Sequence, residues 1–111
     1  MPIVYKILGQ VAPAATTDTP LYSVPSGGSA LVSTVTITNR GSSAGTFRVR
    51  AAKSGEGTVA NKQYIAFDTP IEANSFITLT LGLTLSASEA LYVYGSTGDF
   101  SFNAFGQETT A

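Results

Sequence analysis

The sequence predicts an all-β protein, an antiparallel β-sandwich of about eight strands with a jelly-roll-like arrangement, in a single domain. Apolar residues recur at every second position in several runs, and no window repeats them at helical spacing. Clusters of Gly, Pro, Ser and Asn separate the runs at intervals of about 8 to 12 residues. The length of 111 residues is that of one domain. A small closed barrel is the alternative architecture.

Eight runs are predicted as strands: residues 2–10, 19–24, 30–40, 46–52, 62–70, 76–85, 90–95 and 100–107. The first, PIVYKILGQ, is largely apolar on both faces, so we expect both faces to be covered. Residues 1–20 are therefore a candidate N-terminal strand and docking arm. The second run lies between Pro20 and Pro25, which is typical of an edge strand.

The third and sixth runs have the clearest alternation. Leu31, Val35 and Ile37 share one face of the third run, and we expect them in the core. The sixth run, FITLTLGLTL at residues 76–85, alternates Leu and Ile with Thr and carries no charge. Its apolar face is predicted to oppose the third run across the sandwich. Gly82 is predicted to mark a bend or a bulge in this long strand.

The remaining runs continue the period of two. Ile65 and Phe67 share one face of the fifth run, and Phe100 and Phe102 share one face of the eighth. Residues 96–99, STGD, have the composition of a tight hairpin turn, and we expect them to join the last two strands as neighbours.

The composition argues against an enzyme. The chain has no Cys and no His, so the commonest catalytic bases and zinc ligands are missing. Most of the seven acidic residues fall in predicted turns, where acids favour turn formation rather than paired-carboxylate chemistry. The Gly-rich segments do not lie between a strand and a helix, as a phosphate loop requires. We predict no catalytic residues, no cofactor and no metal.

The charge pattern limits the partners. Charged residues make up 12% of the chain, about half the usual share, while Ser and Thr number 27. The net charge of −1 without a basic stripe argues against nucleic acid as a partner. The apolar stretches are too short to span a membrane, and the first residues lack a basic leader, so we expect synthesis in the cytoplasm. A surface with few charges and many hydroxyl groups is typical of a protein that is partly covered in its working state, and also of a stable β domain.

Two strands carry candidate interface residues because their second faces lack an evident cover. Val4, Lys6 and Leu8 lie on the second face of the first strand. Thr78 and Thr80 lie on the uncharged face of the sixth strand, where they meet water, a sister subunit or another partner.

Arginine and tyrosine pairs are the other candidate interface residues. Arg48 and Arg50 share the outer face of the fourth strand, which is either a solvated face or a contact with an acidic partner or a sister subunit. Tyr92 and Tyr94 project from the seventh strand on the side opposite its aliphatic residues. Paired exposed tyrosines are typical of a protein contact or of a platform for a glycan.

Six segments carry a resemblance to a known group of proteins: YKILGQ (5–10), LYSVP (21–25), STVTITNRGSSAGTFRV (33–49), ANKQYIAFDTPIEAN (60–74), TLTLGLTLSASEALYVY (78–94) and FSFNAFGQE (100–108). They resemble small virion structural proteins of tailed bacteriophages, of the cyanophage type. The elements T-x-x-N-R-G, A-N-K-x-Y-I and F-N-A-F-G carry it together, and each alone is weak. Related stretches are similar to modules of phage tail-fibre proteins.

The resemblance implies a non-enzymatic building block of the virion that is made in the host cytoplasm. A small chain of this type looks like a capsid decoration (cement) protein, which sits on the outer capsid surface and stabilises the head. The implied partners are the major capsid protein or other virion proteins and further copies of the chain, as a homotrimer or another homo-oligomer.

Two other functions remain as alternatives. One is a tail, neck or fibre module that contacts a cell-surface glycan through Tyr92, Tyr94 and the threonine faces. The other is a carbohydrate-binding module unrelated to virions, which a sandwich fold also permits.

Overall fold

The computed structural model describes residues 3–56 and 58–109, which form a β-sandwich. Its strands are β1 (Ile3–Val11), β2 (Thr19–Ser23), β3 (Ser29–Asn39), β4 (Gly45–Ala52), β5 (Tyr64–Ile71), β6 (Ser75–Ser86), β7 (Ala90–Gly95) and β8 (Phe100–Thr109). The described residues contain one helical segment, the 3-10 turn Asn61–Gln63. None of their helical structure is long and apolar enough to cross a membrane.

The strands form two antiparallel four-stranded sheets. Sheet A has the order β1-β8-β3-β6, and sheet B has the order β2-β7-β4-β5. The pairs β1–β8, β2–β7, β3–β6 and β4–β5 are those of one long hairpin that is closed at the β4–β5 connection and wrapped into two layers. The pairs β3–β8 and β4–β7 join the wrapped halves. This is a jelly-roll arrangement, and the predicted all-β sandwich is confirmed.

The core lies between the inner faces of the two sheets. Its fully buried side chains are Val32, Val35, Ile37, Phe47, Val49, Leu91, Val93, Phe100, Phe102 and Ala104. Phe102 of sheet A meets Phe47 of sheet B edge-on, with ring centroids 6.4 Å apart, so aromatic packing joins the two layers at their centre.

The prediction that Leu31 belongs to the core is wrong. The register of β3 shifts between Val32 and Thr34, and this bulge reverses the alternation. Val32 and Val35 therefore both face the core, although they are three residues apart, and Leu31 turns to the outer face, where it is half-buried.

Two predicted strand arrangements also differ from the structure. β6 does not oppose β3 across the sandwich, because the two strands are hydrogen-bonded neighbours in sheet A. The predicted hairpin at 96–99 instead crosses from β7 in sheet B to β8 in sheet A, since each of these strands already has two other neighbours. The expected bulge at Gly82 is present: φ is +61°, beside a shift in the β3–β6 register.

The first strand is an edge strand of sheet A, paired with β8 alone. Met1 and Pro2 of the predicted strand and docking arm lie outside the described residues. Ile3, Val4, Tyr5 and Ile7 are exposed, so residues 3–56 and 58–109 leave both faces of this half of β1 uncovered. Leu8 packs against the core, and docking by residues 1–20 stays a prediction.

The close approach of β1 to β2 depends on a glycine. A Cβ added to Gly9 would lie 2.1 Å from the carbonyl oxygen of Leu21, whereas the nearest atom to a Cβ at Gly98 is 4.0 Å away. We expect Gly9→Ala to lower the free energy of unfolding by about 2–3 kcal/mol, because the backbones of the two sheets must separate. Urea denaturation measures the effect. The control Gly98→Ala should stay within about 0.5 kcal/mol of the parent, and equal values for the two variants would contradict the role of Gly9.

Candidate functional site

The outer face of sheet A is a broad surface without charge. Its outward residues are Ile3, Tyr5, Ile7 and Gln10 on β1; Leu31, Thr34, Thr36 and Thr38 on β3; Phe76, Thr78, Thr80 and Thr84 on β6; and Ser101, Asn103, Phe105 and Gln107 on β8. We call this surface the uncharged face. The four strands contain two charged residues, Lys6 and Glu108, which pair with each other on the side of β8 that faces sheet B. The outward residues of the strands therefore carry hydroxyl, amide and apolar groups, and a charge at the border of the face is that of Arg40, which follows β3 and donates to the Ser101 hydroxyl at 2.8 Å.

The apolar residues of the uncharged face gather near β1. Tyr5 is 79% exposed, and with Leu31 and Phe105 it lines a shallow groove of about 340 Å³. At the far side, Phe76 on β6 is 69% exposed. Large side chains this exposed on a flat sheet are typical of a surface that another molecule covers.

The candidate residues Thr78 and Thr80 lie on this same face. Both side chains are exposed, and their strand is an edge of sheet A. Thr78 pairs with Thr36 on β3 and Thr80 with Thr34, which gives a row of hydroxyl groups on the same face as the apolar groove. Within the described chain these threonines face outward, and their role as an interface stays a prediction.

The outer face of sheet B has a different chemistry. Arg48 Nε donates to Asp68 Oδ1 at 2.6 Å, and its guanidinium lies 4.2 Å from the ring centroid of Phe67 and 4.3 Å from that of Tyr94. Asp68 has a φ of +46° at a register shift in β5, a conformation that Asp tolerates better than most residues. The hydrogen bond with Asp68 raises the pKa of Arg48 above its already high value.

Arg50 is buried, with 6% of its surface exposed. Its guanidinium donates to Asp18 Oδ1 at 3.1 Å, Asp18 Oδ2 at 2.5 Å and Gln63 Oε1 at 2.8 Å, and it covers the ring of Tyr92 at 3.9 Å. The sequence left open a solvated face or an acidic partner for the two arginines, and in the structure Asp18 and Asp68 of the same chain bind them. The arginines cover Tyr92 and Tyr94, which leaves neither tyrosine as an open stacking platform.

A third polar group joins the sheets beside β1. The Tyr22 hydroxyl on β2 donates to Glu108 Oε2 on β8, and Lys6 Nζ lies 3.0 Å from Glu108 Oε1. The hydrogen bond from Tyr22 and then the Lys6 ammonium lower the pKa of Glu108, and burial, followed by Glu108 itself, raises the pKa of Tyr22. Val4, on the same side of β1, is 47% exposed. Its predicted contact therefore has no partner among the described residues.

The carboxylates of the described strands are dispersed and paired. Among residues 3–56 and 58–109, no three acidic side chains come together in a way that could hold a metal ion. Each strand carboxylate is paired with a cation: Asp68 with Arg48, and Glu108 with Lys6. The uncharged face presents hydroxyl, amide and apolar groups.

Sequence reasoning missed most of the apolar part of the uncharged face. It did not single out Tyr5, Ile7, Phe76 or Phe105. A signal was present, since the runs at 76–85 and 100–107 contain no charged residue, whereas Arg48, Arg50 and Asp68 lie in the strands of the other sheet.

Neither a family model nor a curated protein matches this chain.

Substitution can distinguish the contribution of the buried Arg50–Asp18 pair from that of the more exposed Arg48–Asp68 pair. We expect Arg50→Met to lower the free energy of unfolding by about 2 kcal/mol, because Asp18 and Gln63 lose their donor. The expected loss of stability is smaller than for a fully buried ion pair, since about a third of the Asp18 side chain is exposed. The matched variant Arg48→Met should cost less than about 1 kcal/mol, because its pair with Asp68 is more exposed. Urea denaturation checks both, and an unchanged Arg50→Met protein would contradict the structural role.

Glu108 should make stability depend on pH. Its pKa is lower in the folded chain than the value of about 4.3 in unfolded chains, so its contribution is present above that pH and is lost as pH falls through the lowered pKa. We expect the stability difference between the parent and Glu108→Gln to shrink between about pH 5 and pH 3. Glu56, whose pKa Lys62 lowers to about 2, titrates in the same way in both proteins, so its contribution drops out of the stability difference between them. Urea denaturation across this range measures the difference, and a constant value would contradict the assignment.

Proposed function

We propose that this chain is a non-enzymatic structural protein of a tailed-phage virion, a capsid decoration protein that binds the outer capsid surface and stabilises the head. The uncharged face carries the proposal. It exposes Tyr5 and Phe76 on a sheet whose two strand charges, Lys6 and Glu108, lie on the opposite side. A surface of this kind suits a protein that works while it is covered.

The size of the uncharged face fits such a role. Four strands about 4.8 Å apart and about 30 Å long give roughly 600 Å². That approaches the roughly 800 Å² that each partner contributes to a stable interface. A neutral face also needs no matching charges on the shell, because hydroxyl and amide groups bond donors and acceptors alike.

The mechanism of head stabilisation is thermodynamic. A protein that binds a site shared by neighbouring capsid subunits binds the assembled shell and not its separated parts, so its binding free energy adds to the stability of the shell. Several weak footprints on one homo-oligomer become one strong attachment through avidity. The resemblance to virion structural proteins supplies the choice of a phage head, and the jelly roll, found in capsid and lectin domains alike, does not by itself decide the function.

Binding to purified heads tests the proposal. The protein should bind expanded heads of the encoding phage in stoichiometric amounts, and unexpanded heads weakly. Thr80→Lys places a charge in the middle of the uncharged face, and we expect it to weaken binding at least about tenfold, because the ammonium is desolvated without a partner. The control Ser54→Lys adds the same charge at an exposed turn outside sheet A and should bind like the parent.

Electron microscopy of intact particles that carry a tagged copy tests where on the virion the protein lies. Uniform label on the head supports the decoration role. Label confined to the tail would overturn it in favour of a tail, neck or fibre module. Equal binding by Thr80→Lys and Ser54→Lys would show that the uncharged face is not the contact.

A further inference from the structure

The edge strands of the two sheets are protected to different degrees. Sheet B ends in β2, which has five residues and contains Pro20, and in β5, which contains Pro70 and a register shift beside Asp68. Short strands, prolines and bulges prevent an edge from pairing with another chain. Sheet A ends in β1 and β6, with nine and 12 residues and no proline.

Of the two open edges, the first half of β1 is the less covered. Tyr5 and its neighbours Ile3 and Ile7 are exposed on the outer face, and Val4 is exposed on the inner face. In β6 the inward residues pack against the core, and Gly82 interrupts the edge with a positive φ. The segment Ile3–Ile7 therefore projects with both faces and one edge unpaired by the described chain.

The charge of this segment is already neutralised. Its one charged side chain, Lys6, is 45% exposed, yet its ammonium lies 3.0 Å from Glu108. An acidic partner would have to compete with Glu108 for it. The segment offers an aliphatic and aromatic surface with backbone groups that the described chain leaves unpaired. A second copy of the same segment has this same chemistry and can therefore pair with it.

We propose that Ile3–Ile7 pairs antiparallel with the same segment of a second copy, so that Tyr5 lies opposite the partner's Tyr5. The bulge between Ile7 and Gly9 ends the regular edge, which leaves five residues with Tyr5 at their centre. In this register Ile3 lies opposite the partner's Ile7, and the outer row of the junction is entirely apolar. Val4 lies opposite the partner's Lys6, which gives both a cover on the inner side.

The dimer joins the two copies of sheet A into one eight-stranded sheet. Because five residues from each copy form the junction, the interface is small, and the dimer forms only at high protein concentration. The inference is independent of the virion role, since it concerns the edge of sheet A and not its face.

Disulfide trapping tests the register directly, because the chain contains no cysteine. Residues directly opposite in antiparallel strands have Cα atoms about 4.5–5.5 Å apart, which a disulfide spans. Under mild oxidation, Tyr5→Cys should form a covalent dimer on a non-reducing gel. Thr80→Cys, an exposed residue of β6, is the matched control and should stay monomeric. Ile3→Cys and Ile7→Cys should cross-link poorly alone and efficiently when mixed.

A charge variant tests the pairing without a cross-link. Tyr5→Lys sets two ammonium groups against each other across the junction, and we expect its mass by sedimentation to stay that of a monomer at concentrations where the parent doubles. Its thermal midpoint in dilute solution should be unchanged, because Tyr5 is exposed. Thr80→Lys should dimerise like the parent.

Three results would overturn the inference. One is a parent protein that stays monomeric at every concentration, which leaves the edge to a different chain. The second is a Tyr5→Cys protein that cross-links no faster than Thr80→Cys. The third is an Ile7→Cys protein that cross-links by itself faster than Tyr5→Cys does, which would place the two-fold axis of the dimer at another residue.

Discussion

The cost of removing charge from water determines how this molecule divides its two sheets. A buried charge is tolerated only when it is paired and hydrogen-bonded. Arg50 meets this condition through Asp18 and Gln63, and Glu108 meets it through Tyr22 and Lys6. The strand charges are thus satisfied inside the chain. What sheet A presents outward is neutral, and the charged groups of sheet B are occupied by one another.

The two sheets also differ in their edges and outer faces. Sheet B has short or kinked edges, a closed arginine–tyrosine cluster and an edge proline in each outer strand, which are features of a surface that stays in water. Sheet A has long edges, a neutral face and exposed Tyr5 and Phe76. A β domain whose whole surface faced water would gain from charges on such a sheet, because they suppress association between edges. The outward strand charges Arg48 and Asp68 lie on sheet B, and this distribution is the basis of the proposal that sheet A is the associating sheet.

The period of two in the sequence was enough to predict the sandwich, the number of strands and the outward position of Tyr92 and Tyr94. It failed where the backbone departs from regular alternation. The bulge after Val32 moves Leu31 out of the core, and in the sequence it shows only as two consecutive polar residues, Ser33 and Thr34, between Val32 and Val35. Pairing across the chain was equally hidden, since Asp18 and Arg50 are 32 residues apart. The arginines therefore looked available to a partner although Asp18 and Asp68 already bind them.

The geometry of the β1 junction bears on how a neutral face gains useful affinity. Residues directly opposite in an antiparallel pair point to the same side of the sheet, so the two-fold axis of the dimer is normal to sheet A. Both uncharged faces then lie on one side, as one surface of eight strands. A neutral face without ion pairs has modest affinity for any repeating surface, but two such faces held side by side act as one bivalent ligand. Weak pairing in solution is compatible with this, because neighbouring binding sites on a lattice raise the local concentration of the second copy. If both proposals hold, face and edge would reinforce each other: attachment of the face would favour pairing at Tyr5, and pairing at Tyr5 would slow release of the face.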